Sequence, residues 1–212
     1  MGLAVEVGML ADLLEIDAEG ADWLRESFDS VNAVLAEHKL PPHHEPESLP
    51  PFDNRAALGS YPYSFLHYLR RVAAHAAEYP GWLAKPFPES SKPAADPLVD
   101  KHSASMERHL LCHSDCEGFY LPIEFKEVIV DDKDRIPGGM LGSSFALLKE
   151  LQGVAPALGI RLVNGQLSDE EAQKINGAVE AESPLWIEKA VWLSLFEAAR
   201  LSIQHRTAVC FT

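Results

Sequence analysis

The stretch SPLWIEKAVWLSLFEAARLSIQ, residues 183–204, carries more apolar side chains than one face of a helix can hold. Ile187, Val191, Leu195 and Ala198 fall on one helical stripe and Trp192, Phe196, Ala199 and Ile203 on another. A helix that is apolar almost all round belongs inside a core. Ser183-Pro184 supplies its start, because proline is tolerated in a first turn, where its missing N–H has no partner to lose. A fold built round this central helix needs further elements to cover it.

Those elements are legible upstream. From Asp17, a side chain suited to an N-cap, Leu24, Phe28, Val31 and Leu35 recur at helical spacing until Pro41-Pro42. A second helix is expected near Pro62, with Phe65, Leu69, Val72 and Ala76, ending by Tyr79-Pro80; His67, Arg71 and His75 lie one turn apart on another of its stripes. After Pro137-Gly138-Gly139, Ser143 or Ser144 can cap a helix through Phe145, Leu148 and Leu151 that Pro156 closes or interrupts. Asn164-Gly165 reads as a two-residue turn, and Ser168 with Glu171 as a capping box before a helix through Ile175 and Val179. Residues 3–7 stay open between a short strand and the first turn of a helix continuing through Leu10, Leu13 and Leu14.

Strand character is concentrated in the middle. Phe119, Leu121, Ile123 and Phe125 alternate with Tyr120, Pro122, Glu124 and Lys126, and Val128-Ile129-Val130 follows. Residues 108–113 are expected to pair with this segment as a hairpin, with Gly118 available for a left-handed residue, and Pro122 argues for an edge. Val209 and Phe211 suggest a terminal strand. The expected architecture is α+β and mainly helical, a small antiparallel sheet packed against five or six helices in one globular domain over 1–212. Eleven of fifteen prolines lie between 41 and 97, leaving long Pro-rich loops at about 41–54 and 80–101. Trp82, Leu83 and Phe87 give the second loop apolar anchors that a free linker lacks.

The 32 Asp and Glu against 18 Lys and Arg leave a net charge of −14. Such a charge repels phosphate backbones and anionic lipid, so neither nucleic acid nor membrane is expected as a partner, and a basic protein is. The N-terminus has no basic n-region, no apolar window approaches eighteen residues, and Cys112, Cys116 and Cys210 are too few and odd in number for a secreted disulfide framework. The expected compartment is the cytoplasm. Oligomeric state is not legible.

Chemistry could sit in two places. His109, Cys112, His113, Asp115, Cys116 and Glu117 form the densest cluster of ligand-type side chains, and imidazole with thiolate suits zinc. The candidate metal ligands are His109, Cys112, His113 and Cys116. On a strand, however, Cys112 points away from His109 and His113, and Cys-x3-Cys without a distant second pair is no zinc-finger spacing. Two buried thiols at a polar hairpin end are therefore preferred, with no cofactor expected and zinc or another divalent metal as the alternative. The second place is the polar stripe of the central helix, Ser194, Glu197, Arg200 and Gln204, ending at His205. A pocket of His113, Asp115, Glu197, Arg200 and His205 is the candidate catalytic set, against the simpler reading in which Glu197 and Arg200 pair. No nucleophile elbow, zincin motif, P-loop or dinucleotide fingerprint is present. The leading expectation is an acidic protein-interaction module, immunity-protein-like, that binds a basic partner. The alternative is an enzyme or small-ligand-binding protein using the polar pocket, metal-assisted or not.

Overall fold

The computed structural model describes residues 2–87 and 92–212. The segment 3–7 resolves into both readings at once: a strand β1 (Gly2–Val7) turns at Gly8, whose φ of 80° is left-handed, into a helix α1 (Met9–Ile16). Asp17 then caps α2 (Ala18–Glu37), its carboxylate accepting the Gly20 amide at 3.1 Å. The chain continues through β2 (Ser60–Pro62), α3 (Tyr63–Glu78), α4 (Pro97–Ser103), α5 (His109–Cys112), β3 (Gly118–Leu121), β4 (Ile129–Val130) and β5 (Met140–Ser143). It ends with α6 (Ser144–Val154), the hairpin β6 (Leu162–Val163) and β7 (Gln166–Leu167), α7 (Asp169–Glu180), α8 (Trp186–His205) and β8 (Val209–Phe211).

The class is α+β and mainly helical, as expected. The main sheet has six strands in the order β2-β1-β8-β3-β5-β4. All its pairs are antiparallel except β3 with β5, which run parallel with Tyr120 opposite Gly142. That glycine is required, since a Cβ there would stand 2.3 Å from the Tyr120 ring.

The two-residue alternation of the strands sorts side chains into two cores. Leu3, Val5, Tyr120, Val209 and Phe211 face α3, α6 and α8, with Trp192 and Phe196 of α8 stacked at 4.7 Å between centroids. Phe119, Leu121, Leu141 and Cys210 face the other way, onto Leu10 of α1 and Leu24, Phe28, Val31 and Leu35 of α2. The α1–α2 pair thus covers one face of the sheet with its apolar stripe. Burial of each large side chain there contributes about 1.5–3 kcal/mol.

Three local expectations are corrected. Residues 109–112 form a helical turn where a strand was expected. The turn is held by distant side chains: Glu150 accepts the amides of His109 and Leu110 at 2.6 and 3.1 Å, and buried Arg70 donates to the carbonyls of Leu110 and His113 at 2.8 and 2.5 Å. These groups satisfy both ends of a helix too short to stand alone. Second, β3 is an inner strand; Pro122 ends it and does not mark an edge. Third, Glu171 does not close the capping box. Ser168 accepts the Glu171 amide at 3.2 Å, but the Glu171 carboxylate accepts from the Arg161 amide and Lys174. No helix among the described residues is long and apolar enough to cross a membrane.

Candidate acidic interaction face

Because the inner stripe of α2 is committed to the sheet, its outer face is free for solvent or a partner. Glu19, Asp22, Glu26 and Asp29 follow one another at intervals of three, four and three residues. At 100° per residue they occupy a sector of about 80°, and Glu37 returns to the same line about 27 Å from Glu19. Asp12 and Glu15 of α1 and the cap residue Asp17 lie immediately before this stripe. All of these carboxylates are exposed.

Residues 1–37 hold nine carboxylates against one cation, Arg25, so this segment carries −8 of the whole charge of −14. Arg25 is engaged at the flank of the stripe, 3.2 Å from Asp22 and 2.7 Å from Glu47. At the far end Glu37 meets Arg135 at 2.7 Å and Lys133 at 3.2 Å, and these hydrogen bonds pull its carboxyl down to about 2. Among the described residues Asp12, Glu15, Glu19, Glu26 and Asp29 have no ion-pair partner. The uncompensated field therefore centres on α1 and the first half of α2.

The sequence candidates fall into two polar networks with no hydrogen bond or ion pair between them among the described residues. Glu197 is fully buried, clamped by Arg55 at 2.5 Å and Arg200 at 2.7 Å, and Arg200 also donates to the Asp53 carbonyl at 2.7 Å. These cations hold the Glu197 carboxyl below its ordinary value against the opposing effect of burial. His205 packs its ring on Phe52 at 5.0 Å. This network fastens the 41–59 segment to α8. His113 lies in the other network, buried and stacked on Tyr120 at 4.1 Å, its Nδ1 3.1 Å from the Ser114 carbonyl and its Nε2 3.0 Å from the Phe119 carbonyl; burial lowers it to about 4. Asp115 meets His67 at 3.2 Å and Arg70 at 4.0 Å.

The candidate metal ligands have other occupations. His109 Nδ1 accepts the Ser143 amide at 2.9 Å, which leaves the Nε2–H to donate to the Lys126 carbonyl at 3.2 Å. Cys112 donates to the Ser103 carbonyl at 3.2 Å, and Cys116 is exposed beside the Ser114 hydroxyl at 3.5 Å. Among the described residues no group of three or more His, Cys, Asp and Glu is arranged to hold a metal ion.

Sequence reasoning named the buried stripe of α2 and passed over its outer one. The signal was present: the carboxylate spacing in residues 12–29 and the charge partition are both countable. It also passed over Arg55 and Glu45, which lie in Pro-rich sequence without a period and whose partners include residues 142 and 163 positions away.

Residues 1–211 match the model of a family described as "Putative DNA-mimic protein". No curated protein and no solved structure matches the chain. The family match corrects the partner expectation drawn from charge, which named a basic protein and left nucleic acid out: imitation of DNA implies a partner that binds nucleic acid.

Proposed function

The chain belongs to the family described as "Putative DNA-mimic protein", and from that premise we propose that it occupies the DNA-binding face of a DNA-binding protein, its α1 and α2 carboxylates standing where phosphates would. The observation that supports this most directly is the outward stripe of Glu19, Asp22, Glu26 and Asp29, three of them without an ion-pair partner among the described residues, on a helix fixed to the sheet by its opposite face. A duplex presents one negative charge per about 3.4 Å of each strand. The α2 stripe advances about 4.5–6 Å per charge, and α1 adds further carboxylates at its start. Because α2 is already ordered, little conformational entropy is lost on docking. A field of one sign also steers encounter with the lysines and arginines that contact phosphate. The proposal shares with the immunity-protein-like expectation the occlusion of a working surface, and differs in what that surface binds.

The test is competition. A helix-turn-helix repressor, a minor-groove bending protein and a duplex-cleaving nuclease are each bound to a labelled duplex and titrated with the chain while polarization is read. We expect release of duplex from at least one, with rising salt weakening the competition. The variant Glu19→Gln/Asp22→Asn/Glu26→Gln/Asp29→Asn should fold and need at least about tenfold more protein for the same release. Release from none, or equal release by the variant, would overturn the proposal.

A further inference from the structure

Beside the acidic stripe lies a cavity of about 300 Å³, at the small end of ligand pockets. Its walls are apolar, formed by Met9, Trp23, Tyr63, Phe119 and Phe211 among others, and Glu117 is its one charged wall residue among the described residues. Trp23 is half exposed and sits on α2 one turn from both Glu19 and Glu26. Trp23, Tyr79 and Phe145 are the exposed aromatics among the described residues, and of these Trp23 is the one that lines the cavity.

We infer that this cavity receives an arginine side chain of the DNA-binding partner, its guanidinium against Trp23 and Glu117 and its aliphatic stem along the apolar walls. The inference rests on the mimic reading for the identity of the partner. An apolar side chain would fill the walls but offer no counter-charge to Glu117, which is exposed at the mouth of the cavity. A lysine ammonium is strongly hydrated and stacks poorly. Arginine combines an apolar stem, a planar cation that stacks on tryptophan and a fork that fits a carboxylate. Arginine is also the side chain that DNA-binding proteins insert against guanine edges and into narrow minor grooves. Charge imitation along α2 is indifferent to partner identity, whereas a pocket for one inserted arginine selects among partners.

The experiment uses the full chain and two blocked glycine-flanked pentapeptides with a central arginine or lysine. The readout is the indole N–H resonance of Trp23, assigned with Trp23→Phe. The arginine peptide should shift that resonance saturably and bind at least about fivefold more tightly than the lysine peptide. Trp23→Ala and Glu117→Gln should each weaken it about tenfold, and Trp23→Phe, which keeps a ring, much less. Equal binding of the two peptides, no binding of either, or indifference to Trp23→Ala overturns the inference and leaves the mimic reading standing. Selective arginine binding by a chain that releases duplex from no DNA-binding protein would do the reverse.

Discussion

Glu150 and His113 are both titratable and lie near α5, the first half-buried and the second buried, and they are pushed in opposite senses for stability. Burial raises the Glu150 carboxyl to about 7 although it accepts two amides, and burial lowers His113 to about 4. Between about pH 4.5 and 7 the unfolded chain has released the Glu150 proton while the folded chain still holds it, so stability falls as pH rises. Between about 6.5 and 4 the unfolded chain takes up a proton that folded His113 refuses, so stability falls as pH drops. Over their shared range the two slopes oppose. Glu150→Gln removes one of them. Urea unfolding from pH 4.5 to 7 should therefore show that variant gaining stability relative to the parent as pH rises, with a steeper loss on acidification. Parallel curves for parent and variant would mean that Glu150 titrates normally. Neither group was legible as a pair in the sequence, because Glu150 reaches the His109 and Leu110 amides from 41 and 40 residues away.

At the scale of elements, α2 does two jobs on opposite faces. Its apolar stripe was read directly from Leu24, Phe28, Val31 and Leu35, since a 3.6-residue period needs no knowledge of what lies beneath it. What lies beneath is specific: Phe28 packs on the Phe119 ring at 5.2 Å and edge-on to His43 at 5.2 Å, joining helix, sheet and Pro-rich segment. Phe28→Ala should cost about 3–5 kcal/mol in urea unfolding. Because it loosens the layer that carries the stripe, it should also weaken release of duplex in the competition assay. The outer stripe places like charges three and four residues apart, each such pair unfavourable by about 0.2–0.5 kcal/mol. Neutralising it should leave the melting temperature unchanged or raised, which separates loss of binding from loss of fold. The same period that exposes α2 failed at residues 109–112, where a single turn depends on caps supplied by Glu150 and Arg70.

At the scale of the molecule, long-range polar contacts hold the Pro-rich 41–59 segment across α8 and β8. Buried Glu45 accepts the Thr207 hydroxyl, the Ala208 amide at 2.8 Å and the His43 ring at 2.6 Å. Arg55 reaches Glu197, Asp169 and the Leu167 carbonyl. Arg55→Ala leaves fully buried Glu197 with Arg200 as its one cation among the described residues, and should cost about 3 kcal/mol or more in urea unfolding. The same substitution should also quicken proteolysis within 41–59; a stable, protease-resistant variant would show that the segment is held elsewhere.

The sequence by itself determined the α+β class, the central α8, the buried face of α2, a serine cap at 143 or 144, the Ser168 cap, the Asn164-Gly165 turn and the terminal β8. It also determined the concentration of charge in residues 1–37. Each follows from a period, a cap or a count contained within one segment. Only the tertiary structure decided the strand order, the inner place of β3, the helical turn at 109–112, the separation of His113 from Glu197, and the apolar cavity beside Trp23. These depend on contacts between residues tens to more than a hundred positions apart, and no local spacing of side chains specifies which distant partner closes on them.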